Sequence, residues 1–153
     1  MQAIEYLSKI KRLDSQVDKC REKEMELWVL ATSTTQSSDG MPHGTSDPDK
    51  MTNNVQKLIA ARKCTNEIID KYVNAKREVI HYIKMLPPRQ CEVLNLLYIE
   101  KRDKLQPGQK WYYTWSEVAE MLGCTEQNVS KLRRKGIKNL QKILDDEKAE
   151  NIS

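Results

Sequence analysis

Between Lys131 and Lys142 the chain carries six basic side chains, Lys131, Arg133, Arg134, Lys135, Lys138 and Lys142, with no acid among them. Ammonium and guanidinium groups at helical spacing offer positive charge and hydrogen-bond donors along one stretch, which is the chemistry of phosphate contact. Asp145, Asp146, Glu147 and Glu150 follow at once, so the charge changes sign abruptly. The total of 26 basic and 22 acidic residues gives a net charge of only +4, and it is the local block that carries information. Other chemistry finds no support. No Ser/His/Asp set, paired-carboxylate motif, Walker loop or dinucleotide fingerprint is present. The only histidines are His43 and His81, and the cysteines at 20, 64, 91 and 124 form no CxxC pair, so no metal-ligand set is expected. Lone cysteines of this kind read as buried thiols in a cytoplasmic protein. The expectation is a protein with no catalytic residues, no metal and no cofactor, and not an enzyme.

The basic block needs elements to hold it. Thr114-Trp115-Ser116-Glu117 is a T-x-x-E capping box, which opens a helix carrying Val118, Ala119 and Leu122 inward. Gly123 ends that helix where a left-handed backbone is needed, Cys124 turns back toward the core, and Thr125 caps the next helix. With Trp115 as position one, Ala119 is fifth, Gly123 ninth, Val129 fifteenth and Leu132 eighteenth. A helix-turn-helix needs a small residue, a turn glycine and two apolar plugs at those places. With Val129 and Leu132 inward, the second helix, about residues 125–135, presents Glu126, Gln127, Ser130, Lys131 and Arg134, flanked by Asn128 and Arg133. This is the arrangement of a recognition helix in the major groove of double-stranded DNA. Gln127 or Asn128 suits adenine, Glu126 suits cytosine N4, and Lys131 suits guanine. Arg133, Arg134, Lys135 and Lys138 suit phosphate. The candidate DNA-binding set is Thr125, Glu126, Gln127, Asn128, Ser130, Lys131, Arg133, Arg134, Lys135 and Lys138. Trp111, Tyr112, Tyr113 and Trp115, beside Lys110, leave two roles open: stapling the helix start to the core, or stacking on single-stranded bases.

Upstream, apolar positions Tyr6, Ile10, Leu13, Val17, Cys20 and Leu27 recur at spacings of three and four over 4–30, with Glu24 breaking the seam. That is a coiled-coil periodicity. Residues 31–50 change character: twelve of the twenty are Ser, Thr, Gly or Pro, which predicts a flexible linker. Met51 to Leu86 resumes the helical seam, interrupted by Arg62, Thr65 and Lys76, over a helix that reaches roughly 50 Å. Neither helix buries its stripe alone, so each needs the other, a second subunit or another protein. Pro87-Pro88 then opens a helix over about 89–99, and Lys101–Tyr113 reads as a polar loop. No run of 18 apolar residues exists, and the first ten residues do not form a secretory signal, so no membrane association is expected.

The expected fold is all-α: a long N-terminal helical hairpin or coiled coil followed by a C-terminal helix-turn-helix domain. The expected division is an N-terminal helix at 1–30, a flexible linker at 31–50, a long second helix at 51–86, the helix-turn-helix domain at 87–144 and an acidic tail at 145–153.

Leu86 to Tyr98 (LPPRQCEVLNLLY), with Trp115 to Gly123 (WSEVAEMLG) and Val129 to Arg134 (VSKLRR), resembles sigma-70 region 4. The similarity spans about 86–144. The layout, a helical half ahead of a region 4-like domain, also resembles a phage and mobile-element family of regulators of the autolysin-regulatory, late-gene type. The resemblance implies a sequence-specific transcriptional regulator, with base-facing Glu126, Gln127, Ser130 and Lys131 and RNA polymerase as a further partner; the apolar stripes and the small surface of a single helix-turn-helix add the expectation of a homodimer through the N-terminal helices. A sigma region 2 is not found, and the Lys101–Tyr113 loop is longer than a minimal region 4 link. Two alternatives stand beside this reading: an assembly protein such as a terminase small subunit, and a polymerase-binding module that never touches DNA.

Overall fold

A computed structural model of the chain describes residues 2–32 and 48–152. Five helices are present among them: α1 Ala3–Thr32, α2 Pro48–Ile83, α3 Pro88–Leu94, α4 Trp115–Leu122 and α5 Glu126–Ile152. α3 continues into a widened π-helical turn at Asn95–Ile99. No strand occurs among the described residues; a single antiparallel bridge pairs Lys101 with Tyr112. α1 covers the 4–30 segment, while α2 starts three residues before the 51–86 segment and stops at Ile83, leaving 84–86 outside the helix. The segment read as an acidic tail is helical to Ile152 and continuous with α5. The proposed linker and His43 lie largely outside the described residues; Thr32 and Pro48 themselves belong to helices.

The contacts divide the chain into two units, and their boundaries fall inside α1 and α2. The first comprises residues 1–12 and 73–153. The start of α1 therefore belongs to the same unit as the helix-turn-helix. Leu7 and Ile10 of α1, Val79 and Ile83 of α2, Val93 and Leu94 of α3, Val118 of α4, and Val129 and Leu140 of α5 are all buried. Leu96, Leu97, Tyr98 and Ile99 are buried in succession. At about 100° per residue, four consecutive residues cover every side of a helix, so this turn runs through the interior of the unit. The extra residue in the turn is closed by Glu100 N–H donating to the Asn95 carbonyl at 2.8 Å. Polar contacts join the distant segments of this unit. The Ala3 N–H donates to Gln141 Oε1 at 2.6 Å. Tyr6 and Tyr82 meet edge to face with centroids 6.2 Å apart. The Tyr82 hydroxyl is hydrogen-bonded to Glu147, which with burial pushes its pKa up to about 12. Burial and a bond to Glu78 push the Tyr6 hydroxyl upward as well. α5 crosses α3 at Gly136, where an added Cβ would stand 3.0 Å from Leu94 Cδ1.

The second unit, residues 13–72, is an antiparallel pairing of α1 and α2. Cys20 stands beside Cys64, and Leu27 lines the same groove as Lys57, Ala60 and Ala61. Leu13, Val17 and Leu58 are buried here, while Thr65 is buried by turning its hydroxyl to the Ala61 carbonyl at 2.9 Å. Glu24 and Arg62, which interrupt the two seams, pair with each other at 3.1 Å. Such an exposed pair is worth about 0–1 kcal/mol, so it tolerates the interruption more than it stabilises the hairpin. Met25, Trp28, Val29, Leu30, Met51, Val55 and Ile59 remain exposed.

Candidate nucleic-acid interface

α4, the turn and the start of α5 form as their local chemistry dictates. Thr114 caps α4: its Oγ1 accepts from Glu117 N–H at 3.3 Å and donates to Glu117 Oε1 at 3.0 Å. Gly123 ends the helix at φ +65°, and Cys124 N–H reaches back to the Ala119 carbonyl at 2.9 Å. That is the left-handed closure for which glycine has no Cβ cost. Thr125 Oγ1 then accepts from Asn128 N–H at 3.2 Å, which opens α5. Val118 and Val129 are fully buried and Ala119 nearly so, at 5% exposure, which lets the two helices approach closely. Leu122 and Leu132 are half-buried.

The outer face of α5 carries two adjacent rows, Glu126, Ser130, Arg134 and Lys138 in one, and Gln127, Lys131 and Lys135 in the other. Residues four apart lie above one another on a helix, so the rows form one strip. All seven are exposed except Ser130, which is half-buried and accepts from Arg134 Nη2 at 3.1 Å. Thr125 and Asn128 are exposed at the N-terminal end of this strip, with the Thr125 hydroxyl occupied in the cap. Arg133 is different. Half-buried at the edge of the strip, its Nε donates to the Tyr98 hydroxyl at 2.7 Å, and its guanidinium lies over the Trp115 ring, 5.4 Å from the centroid. It ties α5 to α4 and to the π-helical turn, whereas the sequence suggested a phosphate contact.

Two residues that sequence reasoning passed over organise the ground beside this strip. Arg102 forms an ion pair with Glu117, donates from Nε to the Lys110 carbonyl at 2.7 Å, and lies over Tyr113 at 4.9 Å. Lys11, from the start of α1, lies over the rings of both Tyr98 and Tyr112, at 5.2 and 4.7 Å, and its burial lowers its pKa. Neither carries a local signal, because each partner is far away in sequence. Trp111, Tyr112, Tyr113 and Trp115 are thus each engaged by a cation of the same unit, which favours the stapling role, although Trp111 and Trp115 both remain exposed.

The Glu117 carboxyl is held below its usual range, first by the hydrogen bond from Arg102 and then by Thr114, against an opposing effect of burial. A carboxyl with a lowered folded pKa stabilises the fold above its unfolded pKa, and the gain is lost as pH falls through the folded value. Urea unfolding of the parent should therefore weaken between about pH 7 and about pH 3 by more than that of Glu117→Gln. Equal weakening of both proteins would remove Glu117 from the acid response.

The pattern of a capped helix, a glycine turn and a second helix bearing a basic polar strip is that of a DNA-binding helix-turn-helix. Residues 82–142 match the Sigma-70, region 4 family. That match begins at the end of α2 and runs through the strip of α5, so the candidate residues all fall within it. Region 4 is a family of DNA-binding domains and not of enzymes. The match does not include the first turns of α1, which nonetheless pack into the same unit. No curated protein and no solved structure matches the chain. No described helix is long and apolar enough to cross a membrane, and no cluster of three metal-ligating side chains occurs among the described residues.

Proposed function

We propose that the protein is a sequence-specific transcriptional regulator of the phage or mobile-element type, acting in the cytoplasm by binding duplex DNA through α5. The observation that carries this reading is the coincidence of the region 4 match with an exposed double row of polar and basic side chains on α5. In this reading Gln127 or Asn128 reads adenine, Glu126 accepts from cytosine N4 and Lys131 donates to guanine. Thr125 and Ser130 sit among them, Arg134, Lys135 and Lys138 meet phosphate, and Arg133 holds the helix at its angle. The exposed apolar face of residues 13–72 supports a homodimer, which would supply a second half-site. The groove between α3 and α4, where Pro88, Leu96, Met121 and Leu122 are rimmed by the polar Arg89, Glu92, Asn95 and Glu100, is the surface on which contact with RNA polymerase is placed in this reading.

The test is fluorescence anisotropy of the full chain with duplex DNA at several salt concentrations, together with sedimentation equilibrium. Binding that weakens steeply with salt, by a species of dimeric mass, is expected. Failure of the folded protein to bind duplex at low salt would overturn the reading.

A further inference from the structure

The segment between the π-helical turn and α4 is a built hairpin. Lys101 and Tyr112 form its antiparallel bridge, and Arg102 N–H donates to the Trp111 carbonyl at 2.9 Å. Its tip is the turn Gln106-Pro107-Gly108-Gln109, closed by Gln109 N–H donating to the Gln106 carbonyl at 3.0 Å, with Gly108 at φ +82°. Proline followed by a glycine of positive φ is the type II pattern, so both residues fit their places. Every residue from 103 to 111 is exposed. Lys104 and Lys110 flank the tip, and among the described residues neither has an ion-pair partner; Asp103 is the one acid between 101 and 113.

The base of this hairpin is fixed. Arg102 binds Glu117 in the first turn of α4, Lys11 lies over Tyr112, and Lys101 lies over both Trp111 and Tyr112. Two residues beyond the hairpin, the Trp115 ring meets the guanidinium of Arg133 of α5. The hairpin thus leaves the unit at the N-terminal end of α4, alongside the edge of the α5 strip. In a helix-turn-helix, the first helix crosses the DNA backbone while the second enters the groove. The phosphates flanking the groove lie at that end of the first helix, where a positively charged projection suits them.

We infer that residues 101–113 form a wing that grips the phosphate backbone of duplex DNA through Lys104 and Lys110. This rests on the DNA-binding reading of α5 and extends it to a second contact. Five residues separate the bridge from the tip, with bends at Asp103 and Lys104, so the reach is below the roughly 15–20 Å of a fully extended stretch, less than half a helical turn of duplex along its axis. The wing carries no base-reading geometry of its own, so it adds affinity and salt dependence and leaves sequence choice to α5.

The experiment compares the parent, Lys104→Ala/Lys110→Ala and Lys131→Ala/Arg134→Ala as full chains, by anisotropy with several duplex sequences over a range of salt. The wing variant should lower the slope of log affinity against log salt by about 2, weaken all sequences by the same factor, and melt at the parent's temperature. Lys104→Glu/Lys110→Glu should weaken binding further. A wing variant that keeps the parent's slope and affinity, while the α5 variant loses binding, overturns the wing and leaves the α5 reading intact. A wing variant that changes the order of preference among sequences also overturns it. A parent that binds no duplex removes both.

Discussion

Replacing Lys131 and Arg134 together by alanine is expected to weaken duplex binding by about a hundredfold or more. Lys131 as a contact to a base edge is worth about 1–3 kcal/mol, roughly 5- to 150-fold, and the loss of Arg134 from phosphate weakens binding further and lowers its salt slope by about one. Both side chains are exposed on the outer face of α5, so their removal exposes no core. The one intramolecular bond given up, from Arg134 to Ser130, is at the surface and contributes little to folding. Thermal unfolding should therefore be unchanged while affinity falls. An affinity within threefold of the parent, in a protein that melts normally, would move DNA contact away from α5.

The largest effect on stability is expected at the crossing of α3 and α5. Leu94 is fully buried, and Leu94→Ala should cost about 2–5 kcal/mol through lost burial and the cavity left behind. The facing residue is Gly136, whose missing side chain makes room for Leu94. Gly136→Ala would gain about 1 kcal/mol of helix propensity but would press its Cβ to 3.0 Å from Leu94 Cδ1. Once Leu94 is truncated, the nearest remaining neighbour is Gln90 Cβ at 3.5 Å, an ordinary contact. Gly136→Ala should therefore stabilise the Leu94→Ala protein by more than it stabilises the parent, and urea unfolding of the four proteins measures the difference. Additivity within about 0.5 kcal/mol would mean that Gly136 is not there to admit Leu94.

The helix-turn-helix was legible because its signals are local. Thr114 with Glu117, Gly123, and Thr125 with Asn128 each act over three or four residues, so spacing alone identifies them. The interrupted seams were legible too, although only the structure pairs Glu24 with Arg62. What spacing cannot give is the partner of a charged side chain far away in sequence. Arg133 reads as one of six like charges until Tyr98 and Trp115 are found beneath it. Arg102 and Lys11 read as surface residues of a loop and a helix. The expected domain borders followed changes of composition at Ala31 and Pro87, which mark where helices stop. The packing changes inside α1 and α2, where composition does not. Gly136 was readable in principle, since a glycine inside a helix carries a cost that close packing explains.

The unit that bears the basic strip is assembled from two stretches of chain separated by residues 13–72. Ala3 and Gln141 are hydrogen-bonded across 138 positions. On a ribosome adding about 5–20 residues per second, the opening turns of α1 wait on the order of ten seconds for that partner to be made. Residues 13–72 form a unit of their own and can pair meanwhile, whereas closing the first unit requires a contact across 138 positions and should be the slow event. A chain interrupted before Gln141 would keep its hairpin and lack the closed unit, so the basic strip of α5 is set in place only after Gln141 has been made.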